Sequence, residues 1–178
     1  MDNLYQPPGA ALETEDSNAA IDTLEVSERW RNKFRLIAKA GPLPGFKYAN
    51  LKVLTVRERN AIGFNILAFL FSFLYYIFKG MHRRALVLLG FGWLYISIVS
   101  FVELYVDFSV PTVVYWIPLS AVAAALANRD YYDTRVAGLH MWPSLRVFES
   151  WIACIVLGVF GFATLLVPLW LFGGLSGN

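Results

Sequence analysis

The stretch that decides the fold is "AIGFNILAFLFSFLYYIFKGMHRR", residues 61–84. Its first eighteen residues carry no charge, which is about the length that a helix needs to cross a lipid bilayer. Positive charges flank this run on both sides, at Arg57, Arg59, Lys79, Arg83 and Arg84. Positive charge normally stays on the cytoplasmic side of a membrane span. A helix that simply crosses the membrane would leave one of these two groups of positive charges on the non-cytoplasmic side, so a simple crossing does not explain both.

The composition is that of a membrane protein. Hydrophobic residues make up 57% of the 178 residues and charged residues 16%, whereas soluble domains carry about a quarter charged residues. The lone cysteine, Cys154, excludes an internal disulfide. The first twenty residues are acidic and polar, so we expect no cleavable signal peptide. Insertion is then directed by the internal apolar runs.

Charge divides the chain into three parts. Residues 1–28 hold seven acids and no Lys or Arg, and residues 29–59 hold nine Lys or Arg and one acid. We predict a disordered acidic tail over residues 1–21. A basic amphipathic arm next to the membrane follows over residues 22–59, and a helical membrane domain over residues 60–173.

The arm contains an amphipathic helix. Asp22 or Thr23 is the predicted N-cap, with Glu25 in the first turn. Apolar residues at spacings of four, four and three share one face, and cations occupy the rest of the surface. The apolar residues are Val26, Trp30, Phe34 and Ile37. This pattern is typical of a helix lying on an anionic bilayer. The alternative is a helix that packs on the protein's own cytoplasmic face.

Apolar runs define the membrane domain. Thr55 and Glu58 form a capping box, which predicts one helix from about Thr55 to about Lys79. Further uncharged runs cover residues 85–102, 108–127 and 150–172. The fold class is therefore an all-α polytopic helical membrane protein.

The distribution of cations favours one topology. Four crossings place nine cations on one side of the membrane and six on the other. If residues 61–78 enter the membrane and return, all fifteen Lys and Arg lie on the cytoplasmic side, with Glu103 and Asp107 in the opposite turn. We predict three full spans plus one embedded aromatic helix; the alternative is four spans. The N-terminus is expected to be cytoplasmic.

Three stretches of the chain resemble a known family. They are "NLYQPP" (3–8), the aromatic run "FLFSFLYYIFKGMHRRALVLL" (69–89) and "ANRDYYDTRV" (127–136). The likeness covers roughly residues 60–136 and is to an uncharacterised domain family of small multi-span bacterial inner-membrane proteins. The resemblance implies a bacterial inner (plasma) membrane location, and it implies no reaction.

The candidate site residues lie in the arm and after the third run. A polar and aromatic cluster at residues 128–133 is suited to anchoring a span at the headgroups or to holding a lipid or partner. The residues that we predict to bind lipid or a partner are Trp30, Arg31, Lys33, Phe34, Arg35, Asn128, Arg129, Tyr131 and Tyr132. No nucleophile–base pair, phosphate loop or zinc-type cluster is visible. We therefore expect no catalytic residue, cofactor or metal.

These features lead to one main hypothesis. The chain is expected to be a non-enzymatic inner-membrane protein that binds anionic lipid headgroups, and possible protein partners or further copies of itself, through its basic arm. Binding of nucleic acid is not expected. Two alternatives are an immunity protein against a membrane-targeting bacterial toxin and a subunit of a transporter or channel.

Overall fold

The computed structural model describes residues 17–44, 47–106 and 108–175, and these ranges are helical apart from their connections. The α-helices are α1 (Glu28–Lys39), α2 (Val56–Gly63), α3 (Ile66–Phe71), α4 (Phe73–Phe78), α5 (His82–Val106), α6 (Thr112–Arg135) and α7 (Trp151–Leu175). Two 3₁₀ helices, Leu51–Val53 and Pro143–Glu149, lie between them. The described ranges contain no β-strand, only an isolated bridge between Pro42 and Tyr48. The prediction of an all-α fold is confirmed.

The segment before α1 differs from the prediction where it is described. Residues 17–22 are helical, and Ile21 is completely buried. Burial of Ile21 offsets the entropy lost on ordering this segment, so the predicted disorder does not hold for residues 17–21. The rest of the predicted tail, residues 1–16, lies outside the described residues.

Helix α1 packs through its apolar face. Phe34 and Ile37 are fully buried, and Trp30 is partly buried against the same core. The helix begins later than predicted, because Ser27, rather than Asp22 or Thr23, occupies the N-cap position. It ends at Lys39, and Gly41 then adopts a positive φ of 65°. The alternative in which the arm packs on its own protein therefore describes this helix.

The aromatic stretch is broken into three helices, so the prediction of one helix from Thr55 to Lys79 is wrong. The capping box that begins α2 is present, with Glu58 N–H donating to Thr55 Oγ1 at 3.3 Å. Helix α2 stops at Gly63, and Asn65 caps α3 by accepting from the N–H groups of residues 67 and 68. Ser72, at φ 45°, then separates α3 from α4.

Helices α5, α6 and α7 run alternately up and down. Arg84 near the start of α5 contacts Asp130 near the end of α6, whereas Tyr95 further along α5 donates to the Val114 carbonyl near the start of α6. Helices α5 and α6 are therefore antiparallel. Helix α7 is parallel to α5, because Gly90 packs against Gly161 and Ser97 Oγ lies 3.3 Å from Thr164 Oγ1 further along both helices.

Two of the described helices, His82–Val106 and Trp151–Pro168, are long and apolar enough to cross a membrane by length and composition. Three or four such spans were predicted from sequence. The run 61–78 falls short because it is divided into helices of eight, six and six residues. Helix α6 does not qualify because its C-terminal part is polar and charged, with Asn128, Arg129, Asp130 and Asp133 buried.

Candidate functional site

The two groups of predicted site residues meet in the structure. Aromatic rings of α1 pack on those at the C-terminal end of α6, although about a hundred residues separate them in the chain. The Trp30 and Tyr131 centroids lie 4.7 Å apart in an edge-on arrangement. Phe34 lies 5.5 Å from Tyr131 and 5.7 Å from Tyr132. This aromatic layer fixes α1 against α6.

Asn128 connects α1, α6 and the aromatic stretch. Its Oδ1 accepts from Lys33 Nζ at 3.1 Å and from Asn65 Nδ2 at 2.9 Å. Its Nδ2 lies 3.1–3.3 Å from three backbone carbonyls at the end of α2, those of residues 61, 62 and 64. These carbonyls lack helical partners because α2 stops there. Asn128 lies inside α6, which continues to Arg135.

The predicted arginines of α1 are engaged by local acids. Arg35 Nη2 lies 2.6 Å from Asp22 Oδ1, and Arg31 Nη1 lies 3.4 Å from Glu28 Oε2. Arg31 also donates to the Leu24 carbonyl at 3.2 Å. Exposed pairs of this type contribute little stability, but they do reduce the charge that these arginines present to a ligand.

Arg129 points into the protein. It is 8% exposed, and its Nε lies 2.7 Å from Asp133 Oδ1. Its Nη2 donates to the Leu43 carbonyl at 3.3 Å, and its guanidinium lies over the Tyr48 ring. Burial raises the pKa of Asp133 even though Arg129 favours the carboxylate. Arg129 therefore joins Leu43 and Tyr48 to α6 and presents little charge outwards.

Lys79, which was not among the predicted site residues, completes a basic–aromatic face. Its Nζ lies 4.9 Å from the Trp30 ring centroid and 4.8 Å from that of Tyr131. Lys33 Nζ lies 5.0 Å from the same Trp30 ring. We call Trp30, Lys33, Lys79 and Tyr131 the basic–aromatic face. Burial lowers the pKa of Lys33 and of Lys79, and neighbouring positive charges lower both further.

A buried ion pair lies behind this face. Arg84 is fully buried, with Nη1 3.2 Å from Asp130 Oδ1 and Nη2 3.0 Å from the Leu139 carbonyl. Asp130 also accepts from Trp142 Nε1 at 2.6 Å and from the Tyr76 hydroxyl at 2.9 Å. Burial raises the pKa of Asp130 to about 6 against these contacts. The Asp130 carboxylate faces the Arg84 guanidinium, and its ionised form neutralises Arg84.

Both ends of the aromatic stretch contact the same end of α6. Near its start, Asn65 and the carbonyls of α2 bind Asn128. Near its end, Tyr76 binds Asp130, and Lys79 lies over Tyr131. The stretch therefore leaves this end of α6 and comes back to it.

An apolar cavity of about 620 Å³ lies between α4, α5 and α6. Aliphatic and aromatic side chains line it, among them Phe73, Leu89 and Trp116. Within the described residues, no group of three or more His, Cys, Asp or Glu side chains could hold a metal ion. The expected absence of a cofactor and of catalysis stays a prediction.

The sequence offered only a partial signal for the residues that were missed. Asn65 is a polar residue in an apolar run, and it is only 6% exposed. Lys79 and Arg84 had been counted only as flanking cations. Nothing local distinguishes the fully buried Arg84 from the neighbouring Arg83, since the carboxylate that receives Arg84 is forty-six residues away.

These features define a small all-helical protein in which a basic arm is packed on a polar helix end. A family model described as a protein of unknown function (DUF2628) matches residues 17–136, and the chain belongs to that family. The match includes the arm, which lies outside the likeness at roughly residues 60–136 that the sequence suggested, and it stops before α7.

Curated relatives are themselves uncharacterised. The chain is 30% identical to the uncharacterised protein YigF of Escherichia coli (strain K12) over 123 residues, covering 66% of this chain and 90% of the relative. It is 24% identical to YigF of Salmonella typhimurium over 128 residues, covering 68% of this chain and 94% of the relative. No solved structure matches.

Proposed function

We propose that this chain is a non-enzymatic integral protein of the bacterial inner membrane, whose basic cytoplasmic side binds anionic phospholipid. The observation that carries the proposal is the exposed apolar surface of α5 and α7. Of the most apolar 18-residue segment of α5, 28% is buried inside the protein; of the corresponding segment of α7, 17% is buried. Apolar surface of this extent marks contact with a membrane or a partner. Lipid satisfies it along the whole length of both helices.

The direction of α6 supports a third crossing. If α5 and α7 cross the membrane in parallel, the chain has to return between them. Helix α6 runs antiparallel to α5, and its first half exposes Val113, Trp116 and Val122 by 47–50%. Three crossings follow, although α6 alone is less apolar than the other two helices.

The aromatic stretch enters and leaves on one side under this proposal. Its two ends contact one end of α6, and the exposed apolar residues of α3 and α4 lie between them. They include Ile66, Leu70 and Phe78, each more than half exposed. The paired basic flanks of residues 61–78 then lie on the same side of the membrane, as the positive-inside rule favours.

The distribution of charge gives the orientation. Helix α1, the 79–84 segment and the C-terminal end of α6 meet at one end of the molecule, and they bring most of the cations there. Glu103, near the other end, accepts from the Val110 N–H and the Tyr115 hydroxyl. We place the basic end and the N-terminus in the cytoplasm, where this end faces the anionic leaflet.

Cysteine labelling in intact cells tests this topology. The variants are His82→Cys, Ser109→Cys and Ala137→Cys, each at an exposed position in a Cys154→Ala background. A membrane-impermeant maleimide is expected to label only position 109 in intact cells and all three positions after permeabilisation. Labelling of position 82 in intact cells would show that the aromatic stretch crosses.

Lipid dependence tests the binding function. The full chain in uncharged maltoside detergent is expected to unfold at a higher temperature with phosphatidylglycerol than with phosphatidylcholine, and added salt should reduce the difference. Equal stabilisation by the two lipids at low salt would contradict binding through the basic side.

A further inference from the structure

Two ammonium groups compete for one aromatic ring on the basic–aromatic face. Lys33 Nζ and Lys79 Nζ lie 5.0 Å and 4.9 Å from the Trp30 centroid. Each is partly buried, and burial lowers the pKa of each; nearby cations lower it further, Arg29 and Lys79 in the case of Lys33 and Arg135 in the case of Lys79. Like charges held together in a partly dry environment repel one another.

No acid within the described residues relieves this repulsion. The ion pairs found there involve Arg31, Arg35, Arg84 and Arg129, and neither lysine takes part. Lys33 Nζ donates to one acceptor, Asn128 Oδ1. Lys79 Nζ lies over aromatic rings. Since an ammonium group has three N–H donors, donors remain on both side chains for an anion.

We infer that the basic–aromatic face binds a phosphate group between the ammonium groups of Lys33 and Lys79, and that this phosphate belongs to an anionic phospholipid headgroup. The inference rests on the proposed function, since it supplies that function with a specific site. A phosphate oxyanion accepts charge-assisted hydrogen bonds from both lysines and removes their mutual repulsion. Arg29 and Arg135, both exposed, add positive potential at the edge of the face.

The surroundings of Lys79 favour a lipid as the source of the phosphate. Lys79 directly follows α4, whose last residues Ile77 and Phe78 are 40% and 82% exposed. A lipid whose chains cover these residues has its headgroup at the level of Lys79. The Trp30 and Tyr131 rings are also of the type that concentrates at the membrane interface.

The test measures phosphatidylglycerol bound to the full chain in uncharged detergent, by native mass spectrometry. The variant is Lys33→Gln with Lys79→Gln. The matched control is Lys47→Gln with Lys52→Gln, which removes the same charge from exposed positions. Loss of charge-assisted hydrogen bonds from two lysines is expected to weaken binding by about tenfold or more. The control is expected to bind within about threefold of the parent chain, as exposed charges contribute little.

Each other outcome overturns a defined part of the inference. If both double variants lose phosphatidylglycerol binding equally, the specific site is wrong. The proposed lipid-binding function would then depend on net charge alone. Phosphatidylglycerol that fails to bind the parent chain would overturn both. If inorganic phosphate binds as tightly as phosphatidylglycerol and depends equally on the two lysines, the phosphate site stands and its lipid source is wrong.

Folding of the variant is checked separately. Without anionic lipid, the Lys33→Gln/Lys79→Gln chain is expected to unfold at or above the temperature of the parent chain, because a repulsion has been removed. Should it not fold, Lys79→Gln alone keeps the Lys33–Asn128 hydrogen bond and is expected to show the same direction of change in lipid binding. Undiminished binding by folded Lys79→Gln would overturn the shared site.

Discussion

At the residue scale, the Asn128 side chain is where separate segments of the chain are joined. Replacing it with alanine leaves the Asn65 amide without one acceptor and the carbonyls at the end of α2 without their donor. Since each buried polar group left unpaired costs about 1–3 kcal/mol, we expect Asn128→Ala to lower the free energy of unfolding by about 3 kcal/mol. Mixed-detergent unfolding titrations measure this change.

A residue on the same helix provides the control. Val122 is 50% exposed, so Val122→Ala is expected to change the free energy of unfolding by less than about 1 kcal/mol. An equal loss in both variants would show that shortening any side chain of α6 is harmful, and that the hydrogen bonds of Asn128 are not specifically needed.

The buried Arg84–Asp130 pair gives a second prediction. Arg84→Met leaves an unpaired buried carboxylate, and Asp130→Asn leaves an unpaired buried guanidinium. Breaking a buried pair from one side costs about 3–5 kcal/mol. The double variant is expected to lose about 2 kcal/mol less than the sum of the single variants in a double-mutant cycle of unfolding free energies. If the losses of unfolding free energy are additive, Arg84 and Asp130 are not energetically coupled.

At the element scale, the contact between α5 and α7 depends on glycine. A Cβ atom on Gly161 would lie 2.6 Å from the Gly90 carbonyl oxygen, whereas a Cβ on Gly158 would meet no described atom within 4 Å. Gly161→Ala is therefore expected to destabilise the protein by about 1–3 kcal/mol through overpacking. Gly158→Ala, the matched control, should be neutral or slightly stabilising because alanine favours a helix.

Comparing Gly161→Ala with Gly158→Ala shows whether glycine at position 161 is needed for packing against α5 or for bending of α7. If Gly161→Ala and Gly158→Ala change the unfolding temperature equally, the glycines affect the backbone conformation of α7. Close contact with α5 is then not the reason for glycine at position 161.

The break between α3 and α4 stores backbone strain. Ser72 has φ 45° and ψ −123°, a conformation that glycine adopts far more readily than other residues. Ser72→Gly is expected to raise the free energy of unfolding by about 1 kcal/mol, and Ser72→Ala is not. A loss of stability in Ser72→Gly, measured by the same titration, would mean that the Ser72 side chain matters more than the backbone strain.

Local signals predicted local features of these elements. The Thr55–Glu58 capping box depends on residues a few positions apart, and it was predicted. The break at Asn65 was not predicted, because it depends on a distant residue. The side chain that hydrogen-bonds Asn65 and the carbonyls at the end of α2 belongs to Asn128, sixty-three residues after Asn65. A polar residue in an apolar run showed where protein contact occurs, but not that the helix stops there.

At the scale of the whole molecule, charge was more informative than periodicity. Counting cations on both sides of residues 61–78 predicted that the stretch returns to its own side. Both ends of the stretch contact the same end of α6, and the side of the membrane stays a prediction. The sequence could not show that the arm and the 128–132 cluster form one face. Their contact depends on the folded positions of α1 and α6, which no spacing in the chain reveals.

The family match ends at residue 136, before α7, which gives a prediction for the whole molecule. A chain ending after residue 142 is expected to insert with its new C-terminus in the cytoplasm, because α6 returns to the basic end. A C-terminal fluorescent-protein fusion to this shortened chain should fluoresce, whereas alkaline phosphatase fused to the full chain should be active. Active alkaline phosphatase on the shortened chain would reverse the assignment of sides.

The shared acceptor at Asn128 has a mechanical consequence. Its single amide oxygen accepts from two side chains, Lys33 at the surface and Asn65 at the start of the aromatic stretch. If a ligand draws Lys33 away, the Asn128 oxygen accepts from Asn65 alone. Binding at the surface lysine would therefore change the hydrogen bonding at the break between α2 and α3.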